Sequence, residues 1–520
     1  MPEELEPPRD RFEWHPDSEL LDFRSDAARP ALEAAGEATW LAALDYVYEH
    51  GLVRGTGEPA GYVDLRRAFF GDRGGPGPAP VEPAAWSEVL EAWRTRLAPH
   101  LMNAYHPRTW GYFTPPPLFA SVLGETLSQV AHQGVDVWEA GPVAAFVEEE
   151  VVHWLCDLVG YGPGSFGLLT SGGVMANFIA LALARDVQLP HLRGLDHPPR
   201  GAALEGARVY ASDQAHFSVM RALDELGFPP ETLAVVPSDD AFRLRAEPVA
   251  QAILRDRASG LTPLAIAAVA GSTNTGSVDL VGELADLAAR EDLWLHVDAA
   301  YGAGARLSAN AALRVPDLER AHSVTVDPHK WMFQAYDIGG LVVRDGSLLE
   351  ATFGRKRPEY YRGGDAPETR DRTPDDHHDA GQLNFYRLGF EGTRRWRALK
   401  LWLSWQHLGT SGFGRLIEMN LELAAYLARR VNEADDFEAL PTEPELSVVC
   451  FRHRPAGLAP GPELDAHQDR LQAALEASGD GWLSTTRLRG ETYLRAGILN
   501  HTSTAADVDR LLATLRTLAG

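Results

Sequence analysis

From about residue 106 to residue 385 the chain repeats one pattern, a short and mainly apolar run alternating with a helical stretch. The runs are residues 209–212, 233–237, 264–270, 293–297, 323–326 and 340–343. Residues 281–289 form one of the intervening helical stretches. Val143, Val147, Val151, Leu155 and Leu158 are read as the apolar face of another. Strands without polar alternation are buried on both faces, and helices between them make parallel crossovers. The pattern therefore predicts an α/β fold with a mainly parallel sheet covered on both sides. Such sheets bind ligands beyond the C-terminal ends of their strands, so the polar residues just after each run carry the chemistry.

The flanks differ from this region. Single cores stop growing at roughly 250–300 residues, so a chain of 520 residues divides into domains. Residues 1–105 read as helices, at 31–50 and 86–97, joined by loose connections such as the linker at 74–83. They form an N-terminal helical segment too thin to hold a core of its own. Residues 106–390 form the large α/β domain. Residues 391–520 form a smaller α+β domain, with a long amphipathic helix from about Thr393, strands at 446–451 and 492–498, and a last helix from Thr504. Residues 355–382 hold few apolar side chains, and a loop of that length is a lid, a binding loop or disordered.

Charge and cysteine content narrow the function. There are 48 basic and 73 acidic side chains, a net charge of −25. That field disfavours nucleic acid and anionic membrane as partners. Cys156 and Cys450 are the only two cysteines, which fits a reducing cytoplasm better than a disulfide framework. The acidic, Pro-rich start MPEELEPPRD lacks the features of a signal peptide, and no apolar run reaches the roughly 18 residues of a membrane span. A cytoplasmic protein acting on a small molecule is expected.

Two strand ends carry the strongest chemical signal. The run at 293–297 leads into Asp298, and the run at 323–326 leads into Asp327-Pro328-His329-Lys330. Adjacent strand ends would set a carboxylate and an amine at opposite ends of one small aromatic ring. Pyridoxal phosphate requires that arrangement: Lys330 forms the imine, and Asp298 keeps the pyridine nitrogen protonated so that the ring withdraws electrons. A buried structural ion pair is the plainer alternative. Leu168-Leu169-Thr170-Ser171-Gly172-Gly173 precedes an apolar helix at about 174–184, where free N–H groups and the Ser171 hydroxyl suit a phosphate. The same segment also reads as an ordinary helix cap. Thr273 is placed to reach the ring or its hydroxyl, or is a turn residue. His216 could stack on the ring face. The run Asp375-Asp376-His377-His378-Asp379 reads as solvated loop, because neighbouring side chains on a loop do not converge on a metal.

Together these segments resemble the group II pyridoxal-phosphate-dependent amino-acid decarboxylases, the family of aromatic-L-amino-acid and glutamate decarboxylases. HPRTWGYF (106–113), TSGGVMAN (170–177), SDQAHFSVMRA (212–222), GSTNTGSVD (271–279), WLHVDAAYG (294–302), DPHKW around Lys330 and RALKLWL (397–403) occur in the family's order, over most of the chain after about residue 30. The resemblance implies pyridoxal-phosphate fold type I. It implies that Lys330 carries the cofactor, Asp298 partners its ring nitrogen, His216 stacks on the ring and Ala300 packs the opposite face. Ser171 and Gly172 would hold the phosphate, with His329 beside the phosphate and the substrate carboxylate. Tyr360, or Tyr361 as its alternative, would protonate Cα after carbon dioxide leaves. A homodimer with active sites near the subunit interface is implied as well, with the N-terminal helices over the partner.

The chain departs from the family pattern at Asp327, where asparagine is usual, and at Thr109-Trp110, where paired aromatics are common. The expected activity is decarboxylation of an L-amino acid, with an aromatic one favoured, to the amine and carbon dioxide. Aldehyde synthesis or transamination on the same scaffold is the alternative, and a non-catalytic cofactor-binding protein is a third.

Overall fold

The computed structural model describes residues 14–21, 25–51, 62–73, 75–354 and 382–520. The chain forms two compact units. One comprises Met1–Thr109, Asp469–Leu483 and Ala506–Gly520; the other comprises Trp110–Gln468 and Ser484–Ala505.

The first unit carries helices α1 (Ala28–Asp45), α2 (Tyr62–Phe70) and α3 (Trp86–Ala92). Its remote segments meet at Arg108. That guanidinium bonds the Asp507 carboxylate at 3.0 Å and the main-chain oxygen of Asp480, while the Arg108 carbonyl accepts from Trp482 N at 3.0 Å. Among the described residues no helix of the chain is long and apolar enough to cross a membrane.

The second unit is built on a seven-stranded sheet in the order β1-β7-β6-β5-β4-β2-β3. The strands are β1 (Phe166–Thr170), β2 (Ala207–Ser212), β3 (Leu233–Val236), β4 (Thr262–Val269), β5 (Trp294–Asp298), β6 (Ser323–Val326) and β7 (Gly339–Val343). β2 to β6 pair in parallel, and β7 runs antiparallel to both of its neighbours. Each residue of β1, β5, β6 and β7 is buried. The mainly apolar runs of β5, β6 and β7 follow from that burial, and the mainly parallel α/β sheet expected from the sequence is the sheet observed. A second, four-stranded antiparallel sheet has the order β10-β11-β9-β8, with β8 (Phe437–Ala439), β9 (Val448–His453), β10 (Ser484–Leu488) and β11 (Glu491–Gly497). The helix before it, Ala398–Asn432, is broken at Gly409, whose φ of 65° no other residue type adopts as easily.

Two local expectations differ from the structure. Residues 160–167 read as turns, but Phe166 and Gly167 begin β1. Gly167 is needed there because a Cβ would lie 2.2 Å from the Leu341 carbonyl oxygen on β7. The stripe proposed for helix α5 (Pro142–Val159) is also only half buried: Val151 and Leu155 lie in the core, while Val143 is 68% exposed. Steps of four residues advance about 40° around a helix each time, so the stripe spirals off the core face. The buried face instead runs through Glu148, Val151, Val152, Leu155 and Val159.

Glu148 explains how β1 tolerates the sheet edge. Leu169 N donates to the Glu148 carboxylate at 3.0 Å, and Arg394 donates to the Leu169 carbonyl at 2.6 Å. Arg394 and Glu148 also bond each other, with both side chains at most 1% exposed. The pair satisfies the edge groups that no eighth strand covers. Arg394→Met should therefore destabilise the protein by about 3–5 kcal/mol in chemical denaturation, because the carboxylate is left buried and unpaired. A loss below about 1 kcal/mol would contradict this role.

Candidate active site

β5 and β6 are adjacent and parallel, with Asp298 in register with Thr325. Asp298 is the last residue of β5. β6 ends at Val326 and turns at once through Asp327-Pro328-His329-Lys330. Asp298 and Lys330 thereby open onto one cavity of about 410 Å³ beyond the strand ends. Ser171, Gly172, His216, Thr273, Ala300 and His329 line the same cavity. The structure thus gathers each described residue singled out in the sequence. Tyr360, Tyr361 and the run at 375–379 lie outside the described residues.

Asp298 is only 6% exposed. Asn177 Nδ2 donates to its Oδ2 at 2.7 Å, and Ala300 N donates to its Oδ1 at 3.1 Å. Among the described residues no lysine or arginine pairs with it. A carboxylate buried without a cation is costly, and a protonated pyridine nitrogen supplies the missing charge. This is the observation on which the residues present fit pyridoxal phosphate.

The groups behind Asp298 form a polarised network. Asn177 Nδ2 also donates to Ser218 Oγ at 2.8 Å. Asn177 Oδ1 can only accept, and it receives Thr325 Oγ1 at 2.6 Å and His296 Nε2 at 3.0 Å. His296 therefore carries its proton on Nε2. Its Nδ1 accepts from Ser323 Oγ at 2.9 Å, and Ser323 in turn accepts from Trp294 Nε1 at 3.1 Å. Ser218, already an acceptor, gives its own hydrogen to His216 Nδ1 at 2.8 Å. The proton of neutral His216 is thus confined to Nε2. Burial lowers the pKa of His216 and takes that of His296 down to about 4, so both rings stay neutral near neutral pH.

At the other end of the cavity, Ser171 and Gly172 precede helix α6 (Gly173–Leu183). Gly339 on β7 backs them closely. A Cβ there would lie 2.4 Å from Gly172 Cα and 2.6 Å from Asp327 Oδ1, so only glycine fits. His329 Nδ1 donates to the Ile338 carbonyl at 2.6 Å, and its ring tilts against Tyr336 at 4.8 Å. Burial lowers the pKa of His329 as well.

Comparison with known proteins agrees with this geometry. The pyridoxal-dependent decarboxylase conserved domain matches residues 73–454. The chain belongs to the pyridoxal-dependent decarboxylase family. An aromatic-L-amino-acid decarboxylase of Bacillus atrophaeus is 33% identical over 432 residues, 83% of this chain and 85% of the relative. An L-2,4-diaminobutyrate decarboxylase of Rhizobium meliloti (strain 1021) is 32% identical over 79% of this chain and 78% of its own length. Among solved structures, the glutamate decarboxylase domain of a diaminobutyrate-pyruvate transaminase and L-2,4-diaminobutyrate decarboxylase from Vibrio parahaemolyticus superposes with a TM-score of 0.80. It shares 26% identity and covers 95% of this chain and 96% of its own. The fold is that of fold type I, the cofactor is pyridoxal phosphate, and the activity is that of a carboxy-lyase acting on an amino acid.

Several residues of this decarboxylase's site escaped the sequence reading. Asn177 and Ser218 stood inside quoted segments without a role. His296 signals itself only as a histidine in an otherwise apolar strand. Arg495 on β11 gave no signal at all, yet it is buried, and among the described residues no carboxylate pairs with it. Its Nε donates to the Thr273 carbonyl at 2.6 Å and its Nη1 to the Gly111 carbonyl at 2.9 Å, while Nη2 has no partner.

The depressed pKa of His296 has a stability consequence. Between about pH 4 and 6.5 the unfolded chain binds a proton there that the folded chain refuses. Its contribution is complete above the unfolded value and is lost as pH falls toward 4. Unfolding free energy measured by denaturant should rise with pH across this window. His296→Gln should flatten the rise by about one proton's share; an unchanged slope would refute the neutral, buried assignment.

Proposed function

We propose that this decarboxylase acts on an aromatic L-amino acid and releases the aryl-alkylamine and carbon dioxide. The single observation that carries the reading is that Asp298 and Lys330 face one cavity walled by aromatic rings. Phe113 lines it and stacks on Tyr301 at 4.4 Å and 17°, and Tyr301 stacks on Trp331 at 4.7 Å and 26°. Tyr336 adds a further ring at the rim, 59% exposed. The Bacillus atrophaeus relative, an aromatic-L-amino-acid decarboxylase by name, supports the same substrate class.

Bound pyridoxal phosphate supplies the sink for the electron pair left as carbon dioxide departs. In this reading Lys330 provides the amine that carries the cofactor and frees the product. Asp298 keeps a proton on the pyridine nitrogen. His216, held in one tautomer by Ser218, stacks on one ring face, and Ala300 packs on the other. Thr273 bonds the ring hydroxyl, and Ser171 and Gly172 hold the phosphate. His329 stands beside the phosphate and the substrate carboxylate. Arg495 packs its guanidinium over the Phe113 ring at 4.6 Å and holds the Thr273 carbonyl, so it fixes the wall of the cavity from behind. Tyr360, with Tyr361 as its alternative, moves a proton to Cα.

The active form in this reading is a cytoplasmic homodimer, organised as an N-terminal segment to residue 105, a large domain to 390 and a small domain beyond. Phe119, Leu123, Leu127 and Val130 form an exposed apolar stripe along helix α4 (Phe119–Ala131), as a subunit contact requires. Cys156 and Cys450 are free and buried, in keeping with a reducing compartment.

Measuring carbon dioxide and amine from each of the twenty L-amino acids, with cofactor added, tests the substrate class. Tryptophan, tyrosine, phenylalanine or a hydroxylated derivative should turn over fastest. Turnover confined to acidic or diamino substrates would overturn the aromatic assignment. Tyr360→Phe should lower amine formation by about 10²-fold or more and raise the share of aldehyde. Unaltered rate and product ratio there and in Tyr361→Phe would remove both tyrosines from the proton transfer.

A further inference from the structure

A second cavity, of about 770 Å³, lies apart from the active site. Its lining includes Leu158, in the segment before β1, and Asp317 and Glu319, in the segment before β6. Both strands run antiparallel to β7, so they point the same way. The cavity therefore sits toward the N-terminal ends of the strands, whereas Asp298 and Lys330 open beyond the C-terminal ends. Its size falls within the range of small-molecule sites, roughly 300–1,000 Å³.

Two indoles wall it. Trp154 of α5 and Trp405 of the helix Ala398–Asn432 meet at 5.4 Å and 56°, so their rings form a corner and not a stack. The break at Gly409 brings Thr410 back beside Trp405, and Thr410 Oγ1 accepts from Trp405 Nε1 at 3.0 Å. That bond takes up the only polar group of the indole and leaves its π surface. Leu158 and Leu313 add apolar wall.

The charges around the corner are mainly acidic. Asp157, Asp317 and Glu319 share the lining with one cation, Arg306. Arg306 donates to the carbonyls of Leu158, Val315 and Val159 at 3.2, 3.3 and 3.4 Å, and its nearest acid, Glu319, is 3.8 Å away. The C-terminus of α5 thus occupies most of its donors. Arg320, close to Asp317, bonds Asp286 instead. Among the described residues the carboxylates of Asp157 and Asp317 have no hydrogen bond or ion pair, and Glu319 Oε2 is buried without a hydrogen bond. Aromatic rings attract an ammonium group through their quadrupoles, and the acids supply its counter-charge. A bare metal ion would leave the indoles unused, and an anion would meet three carboxylates.

We propose that this cavity binds an aryl-alkylammonium ion, at a site separate from catalysis. The amine released in the reading above belongs to that class. The inference itself rests on the residues of the cavity and holds whichever amino acid is the substrate.

Trimethyl(2-phenylethyl)ammonium serves as the probe, because a quaternary nitrogen cannot condense with the cofactor. Its Kd for the cofactor-loaded protein is measured by isothermal titration calorimetry, with 3-phenylpropionate as the anionic control. The natural chain should bind the cation and not the anion. Asp157→Asn and Asp317→Asn should each weaken binding about two- to fivefold. Asparagine tolerates the left-handed backbone at residue 317, where φ is 62°. Trp405→Leu should weaken binding about tenfold. Phe113→Leu, in the wall of the active site, should leave it unchanged. Absence of binding to the natural chain, or equal binding of the anion, would overturn the proposal. So would a loss of affinity in Phe113→Leu, which places the probe in the active site. Unchanged affinity in both aspartate variants refutes it whether or not Trp405→Leu folds.

Discussion

Leaving the Asp298 carboxylate bare at the buried end of β5 would cost several kcal/mol. Two hydrogen bonds, from Asn177 and the Ala300 amide, offset part of that cost, and no basic side chain of the described residues completes it. The site around it follows from this deficit. The network behind Asp298 consists of uncharged donors and acceptors whose hydrogens can point only one way. It leaves the carboxylate without a cation, on the side that faces the cavity. It also reaches His216 through Ser218, so one asparagine on α6 sets both the acid and the tautomer of the ring beside it.

The sheet supplies the precision that this chemistry needs. Asp298 and Lys330 come from neighbouring parallel strands in fixed register. Ser171 and Gly172, proposed to hold the phosphate, come from the turn between β1 and α6. β1 is a sheet edge, yet it does not fray into solvent, because the buried Glu148–Arg394 pair takes up the N–H and C=O of Leu169. An ion pair remote from the cavity thus holds the strand that delivers Ser171 and Gly172.

Much of this was legible in the chain itself, for physical reasons. Strands buried on both faces betray themselves as mainly apolar runs, as β4 and β7 do, and as β5 does with its one histidine excepted. An acid and a lysine at adjacent strand ends follow from that pattern. What escaped was whatever depends on partners far away in sequence. The start of β1 reads as a turn because Gly167 closes a glycine-rich stretch from Gly160, and its burial comes from β7 and from Arg394, which bonds Leu169 from 225 residues on. β10, Ser-Thr-Thr-Arg-Leu, has four polar residues in five and so shows no apolar run, although its burial alternates. Asn177 looks like one polar residue in an apolar helix until β5, β6 and Ser218 close around it. Arg495 is an arginine in a strand, and its lack of a counter-charge appears only when β11 lies against the loop after β4.

The central claim is that Lys330 and Asp298 hold opposite ends of one cofactor ring. Borohydride reduction of the cofactor-loaded protein, followed by peptide mass spectrometry, tests it most directly. One pyridoxyl group per chain, on Lys330, is the predicted result, and it should be lost when Asp298→Ala prevents loading. A pyridoxyl group on any other lysine, or labelling spread over several, would contradict the account.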